Sequence, residues 1–180
     1  MSARPLPEKF LVAFSFAGEQ RDLVRSIAET VEQALGRGQV FFDEWYEHYL
    51  AGDDADLKLQ EIYGESCALS VVCVAERYGQ KPWTRSEHRV IRARQMRASE
   101  REDELSILPI RVGEGDVPGI PFNSIVPDVR TRPPVDAAAL VLERLYLVRP
   151  DLRPSAKAPE GWPDSPPSLL WPMADHSDVR

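Results

Sequence analysis

Apolar residues along the chain gather into short, compact runs separated by longer stretches with helical spacing. The first run, "FLVAFSF" (10–16), has the length and continuity of a buried strand. In "GEQRDLVRSIAETVEQALGRG" (18–38), Leu23, Ile27, Val31 and Leu35 recur every four residues, which predicts a helix stopped by Gly36 and Gly38. "QVFFD" (39–43) reads as a second, short strand, and "DDADLKLQEIYGES" (53–66) as a short helix carrying Leu57, Leu59 and Ile62. "ALSVVCVA" (68–75) is the most continuous apolar run and fits a central strand buried on both faces. Residues 82–99 follow as a helix, with Pro82 suited to its first turn. "LSILPIRV" (105–112) is a fourth strand whose internal Pro109 marks an edge, a bulge or a strand end. A short fifth segment, "NSIVPDVR" (123–130), precedes the strongly apolar last helix "VDAAALVLERLYLV" (135–148).

Strands alternating with helices of this length predict a parallel sheet covered by helices on both faces. In such folds ligands sit beyond the carboxyl ends of the strands. The loops after residues 16, 43 and 75 therefore converge on one rim, where function is to be sought.

A length of 180 residues suits one domain, and burial at that size needs neither disulfides nor metal for stability. The last 32 residues (149–180) depart from the pattern: they hold seven prolines and no periodicity, and read as a Pro-rich tail or linker. Trp162, Trp171, Leu169 and Leu170 give that tail the means to dock on the domain or on a partner. The 22 basic and 29 acidic side chains leave a formal net charge of -7 with no basic stripe, which argues against a direct nucleic-acid binder. No apolar stretch approaches the ~20 residues of a membrane span, and "MSARPLPEKF" lacks the apolar core of a secretory signal. A cytoplasmic protein is expected. Cys67 and Cys73 fall in one apolar run at an even offset, so a regular strand puts both on one face, too far apart to bridge. They read as buried, inert thiols. No histidine lies among cysteine pairs, and no metal site is expected.

Several chemistries fail on inspection. No GxGxxG or GxxxxGK[ST] cradle follows a strand, no GxSxG elbow is present, and the strand ends lack the acidic cluster of a phosphoacceptor domain. What remains is "KPWTRSEHRV" (81–90), where Trp83 and Glu87 stand four apart and share one helix face. A single carboxylate does not suffice for an ordinary glycoside, whose leaving group needs a proton. A pyridinium N-glycoside such as NAD differs, because nicotinamide leaves neutral. One carboxylate aimed at the ribose is then enough to stabilise an oxocarbenium-like transition state. On spacing alone a Trp and a Glu on a surface helix are more often unrelated, with the Trp covering the core.

The blocks "FLVAFSFAGEQR", "VFFDEWYEHYLAGDDADLKLQEIY", "VVCVAERYGQKPWTRSEHRVIRAR" and "ILPIRVGEGDVPGI" stand in an order that resembles a bacterial Toll/interleukin receptor (TIR) domain over roughly residues 8–148. The most specific block runs from Phe41 to Tyr63, with Phe42, Asp43, Leu50, Gly52 and Ile62–Tyr63 at the family's spacing; "PWTRSEHR" carries its WxxxE pattern. The resemblance implies a flavodoxin-like, three-layer α/β/α fold with a five-stranded parallel sheet. It further implies an NAD+ glycohydrolase or ADP-ribosyl cyclase, with NAD+ as substrate and no separate cofactor. By carry-over Glu87 is the catalytic carboxylate and Trp83 shapes the pocket. Phe14, Ser15 and Phe16 line the nicotinamide side, and Trp45, Leu50 and Gly52 of the loop after the second strand are substrate contacts. The resemblance also implies TIR–TIR homo-oligomers or filaments, a sensor domain or sensor protein as activator, and a role in antiphage immunity or signalling.

Each residue has a plainer reading. Phe14 and Phe16 suit strand-end core, Trp45 and Tyr46 suit assembly contacts, Asp43 suits a cap of the following turn, and the arginines after Trp83 suit a solvated helix. Two other functions compete: a non-catalytic TIR interaction module that self-associates, and an enzyme like the nucleoside deoxyribosyltransferases, which share a similar fold and a single nucleophilic carboxylate.

Overall fold

The computed structural model describes residues 4, 6–52, 55–76, 106–115 and 125–154, with only the backbone for 55 and 56. Four parallel strands form one sheet in the order β2-β1-β3-β4: β1 Phe10–Ser15, β2 Val40–Phe41, β3 Cys67–Val74 and β4 Ile107–Arg111. Helix α1 (Arg21–Leu35) joins β1 to β2 after a 3-10 turn at Gly18–Gln20. A second 3-10 turn (Asp43–Tyr46), the short α2 (Glu47–Leu50) and α3 (Ala55–Gly64) lead from β2 to β3. Helix α4 (Pro134–Val148) follows β4, with proline at its first turn, where no intrahelical N–H is missed. From β1 the chain steps to β2 on one side and returns across β1 to β3 on the other, which is the topological switch at which open α/β sheets bind ligands.

Both inner strands are buried on both faces, as their unbroken apolar runs predict. One core cluster packs Val12, Phe14, Leu69, Val71, Cys73, Leu108 and Ile110 against α1 and α4; the other packs Ala13, Phe41, Val72, Val74 and Ile107 against Leu59, Ile62 and Tyr63 of α3. On α1 the fully buried residues are Val24, Ile27, Ala28 and Val31, while Leu23 and Leu35 are only half buried. The inward face is therefore rotated slightly from the stripe read in the sequence. On α3, Leu57 is exposed and Tyr63 takes its place in the core.

The expected five-stranded sheet is four-stranded among the described residues. The segment around residue 128 makes one parallel bridge: Arg111 N–H donates to the Pro127 carbonyl at 2.8 Å, and Val129 N–H to the Arg111 carbonyl at 3.0 Å. Pro127 has no N–H to extend the ladder. Pro109 fits the neighbouring β4, which pairs fully only with β3.

The two cysteines do not share a face. Cys73 lies in the cluster beneath α1 and α4, Cys67 in the one beneath α3. Cys67 opens β3 opposite Phe10, which opens β1, and both turn to the α3 side. There the Cys67 Sγ lies 3.2 Å from Ser70 Oγ and 3.9 Å from the Tyr63 carbonyl. Neither cysteine is in a disulfide, both are buried, and burial pushes the Cys73 thiol far above the ordinary range. No helix among the described residues is long and apolar enough to cross a membrane.

Two outcomes follow from this packing. Ile27→Ala should cost about 2–5 kcal/mol of unfolding free energy in urea, and Leu147→Ala, on the exposed face of α4, should stay within about 0.5 kcal/mol. A thiol reagent at mildly alkaline pH should find no reactive cysteine in the native protein and two after denaturation, because a raised pKa keeps the buried thiol protonated.

Candidate functional site

Residues Phe16, Asp43, Leu50, Leu59 and Tyr63 line a cavity of about 210 Å³ beyond the carboxyl end of β1. Phe16 belongs to the α1-side core and Leu59 and Tyr63 to the α3-side core, so the cavity lies over the end of the sheet rather than on one face. A second, more open cavity of about 400 Å³ adjoins it, lined by Arg21, Asp43, Glu44, Glu47, Leu50 and Ala51. Asp43 and Leu50 border both. The first is smaller than the ~300–1,000 Å³ of a drug-sized ligand site and suits a single ring; the second gives the rest of a longer molecule somewhere to lie.

The brevity of β2 creates this arrangement. After Phe41 the chain leaves the ladder, and Phe42 stacks on Phe16 with ring centroids 5.0 Å apart and planes 11° apart. The turn Asp43–Tyr46 then brings a carboxylate to the rim. Arg21, the first residue of α1, grips it with two bonds, Nη1 to Oδ1 at 2.7 Å and Nη2 to Oδ2 at 3.0 Å. The guanidinium also lies over the Phe16 and Phe42 rings, 5.2 and 5.9 Å from their centroids. The hydrogen-bonded carboxylate raises the Arg21 pKa still further, so the guanidinium stays ionised. Arg25, one turn along α1, pairs with Glu44. Asp43 Oδ1 also accepts the Glu44 N–H at 2.7 Å, although the cap position of this turn is held by Phe42 and Asp43 is its first residue.

Tyr63 forms the far wall. Its hydroxyl donates to the Phe14 carbonyl at 2.9 Å, one residue past Ala13, where β2 last pairs with β1. The end of β1 is thereby tied to α3.

The residues singled out in the sequence fall into three groups. Phe16 and Leu50 line the cavity. Phe14 and Ser15 are fully buried beneath it; Trp45 packs on Phe42 at 5.1 Å with the Arg4 guanidinium 4.0 Å from its ring centroid, and lines neither cavity. Gly52 has a φ of +87°, a left-handed turn favouring glycine, and directs the chain away after Leu50 and Ala51. Trp83 and Glu87 lie outside the described residues. Sequence reading missed Asp43 as a wall of the site, together with Arg21, Leu59 and Tyr63. Asp43 carried a usable signal, since it closes the run "QVFFD" that reads as a strand ending on the ligand-binding rim. Its pairing with Arg21, 22 residues away, leaves no periodic trace.

The rim is closely packed where loops meet. A Cβ on Gly113, just past β4, would come within 2.8 Å of Ala75 Cβ after β3 and 2.9 Å of Gln20 Nε2 after β1, so only glycine fits there without displacement. Removing the hydroxyl that ties the rim to α3, as in Tyr63→Phe, should cost about 1–3 kcal/mol of stability in urea with an unchanged m-value, because a buried carbonyl loses its donor.

The TIR domain family model matches residues 12–141. Over 135 residues the chain is 32% identical to a 3' cyclic ADP-D-ribose synthase, AaTIR, of Aquimarina amphilecti; the match covers 74% of this chain and 39% of that protein. The chain thus spans well under half the length of this relative. With the β2-β1-β3-β4 sheet and the rim cavity beside its switch point, these matches make the chain a member of the TIR domain family.

Proposed function

We propose that this TIR domain cleaves the nicotinamide–ribose bond of NAD+. The observation that carries this reading is the ring-sized cavity, walled by Phe16, Leu50, Leu59 and Tyr63, at the carboxyl edge of the sheet in a chain that also holds the WxxxE pattern at Trp83 and Glu87. The relative named as a cyclic ADP-ribose synthase supports the same chemistry. Apolar walls and one carboxylate suit a flat pyridine ring, and the adjoining cavity suits the remainder of the dinucleotide.

Glu87 acts in this reading as the carboxylate that orients the ribose hydroxyls and stabilises the cation formed as nicotinamide departs, with Trp83 as a wall of the ribose pocket. NAD+ is the substrate, and no separate cofactor is required. Capture of the cation by water gives ADP-ribose; capture by another atom of the same molecule gives a cyclic isomer lighter by one water. Activity depends on assembly of TIR domains, triggered by a sensor domain or sensor protein, and serves bacterial antiphage defence or signalling.

The test is NAD+ consumption by concentrated or crowded protein, with products separated by mass. Wild type should release nicotinamide, and Glu87→Ala should be slower by about 10²–10³-fold. Silence from wild type in assemblies verified by light scattering would favour a non-catalytic interaction module. Equal rates in both proteins would remove Glu87 from the mechanism.

A further inference from the structure

We propose that Asp43, held in place by Arg21, anchors the carboxamide of the departing nicotinamide and so selects the amide-bearing ring. The inference rests on the NAD-cleaving reading of this site and adds a specificity-determining residue to it.

Among the described residues that line the ring-sized cavity, Asp43 is the only charged one. The Phe16, Leu50 and Leu59 side chains offer no hydrogen bond, and Tyr63, whose hydroxyl is tied to the Phe14 carbonyl, presents only a neutral phenol oxygen, a weaker acceptor than a carboxylate. A carboxylate has about four acceptor directions on its two oxygens. Oδ1 uses two, for Arg21 Nη1 and the Glu44 N–H, both at 2.7 Å. Oδ2 accepts from Arg21 Nη2 at 3.0 Å and, among the described residues, from nothing else. Among the described residues an acceptor direction therefore remains on Oδ2, on a side chain that borders the cavity. A primary carboxamide supplies the matching N–H donor.

The anchor is rigid before any ligand arrives. Two bonds fix the carboxylate plane, the Phe16–Phe42 stack supports the guanidinium, and Arg25 holds the next residue of the turn through Glu44. Such preorganisation leaves little ordering cost at binding.

Arg21 also solves an electrostatic problem. The nicotinamide ring is cationic in NAD+ and neutral once it leaves, so an uncompensated carboxylate beside it would stabilise the ground state and slow cleavage. Paired with Arg21, Asp43 keeps its hydrogen-bonding power while its charge is offset. The same carboxylate repels a ring bearing a carboxylate in place of the amide.

Three dinucleotides separate these effects: NAD+, its 3-acetylpyridine analogue, which lacks the N–H donor, and its nicotinic acid analogue, which is anionic at that position. Each analogue is mixed with NAD+ in one tube, and the ratio of kcat/KM values is read from the two released bases. That ratio does not depend on how much of the protein is folded. Wild type should prefer NAD+ over the acetylpyridine analogue by about 10- to 100-fold. In Asp43→Ala that preference should collapse to within about threefold, and in the isosteric Asp43→Asn the nicotinic acid analogue should gain at least about tenfold relative to NAD+. For a folded variant without turnover, the same ratios are read from dissociation constants of free nicotinamide, 3-acetylpyridine and nicotinic acid. Ratios unchanged from wild type in both variants would overturn the assignment of Asp43. A wild-type protein that cleaves no NAD+ would instead overturn the underlying reading, so the two failures are distinct.

Discussion

β2 stays on the ladder with β1 for only two residues, Val40 and Phe41, whereas β1 continues to pair with β3 as far as Ser15. Past Ala13 no strand among the described residues lies on the β2 side of β1, and the backbone there must be supported by other means. Two long-range contacts do this. Arg21 joins the start of α1 to the turn after β2 through Asp43, and Tyr63 joins α3 to the end of β1 through the Phe14 carbonyl. The space between these two ties is the cavity. Were β2 two residues longer, Phe42 and Asp43 would lie in the sheet, and neither the Phe16–Phe42 stack nor the Arg21 clamp would form as it does.

The site is thus a product of local sheet termination more than of any special loop. Charge is placed sparingly around it. The walls of the inner cavity are aromatic and aliphatic, and the one carboxylate on its border among the described residues is already matched by a guanidinium. The outer cavity is different, with Glu44 and Glu47 beside Arg21 and Asp43. A substrate with an uncharged or cationic end inserted and a polar remainder outside suits that gradient.

Much of this was legible from residue order. The runs at 10–16, 68–75 and 105–112 become β1, β3 and β4, and the Leu23–Leu35 repeat becomes α1. Pro109 correctly marked the sheet's margin, because a missing N–H has the same consequence wherever the strand lies. What was hidden depended on contacts between distant segments. The extended pattern of "QVFFD" did not reveal that Phe42 would leave the ladder to stack on Phe16. Strict alternation misplaced Cys67, because strand ends obey neighbouring helices, here the Tyr63 carbonyl of α3, as much as the pleat. Trp45, prominent as an aromatic in a candidate binding loop, is covered by Arg4 and Phe42. Asp43 looked like a turn cap but is the first residue of the turn, and its role there needed Arg21 from another part of the chain.

The central claim is that the cavity at the end of β1 receives the nicotinamide ring. It is tested most directly by titrating free nicotinamide into protein whose leucine methyl groups carry carbon-13, and following their resonances. The methyls of Leu50 and Leu59, which line the cavity, should shift in a saturable way, and those of the exposed Leu57 and Leu147 should remain still. Saturable binding that leaves Leu50 and Leu59 unmoved, or moves only residues remote from them, would contradict the account.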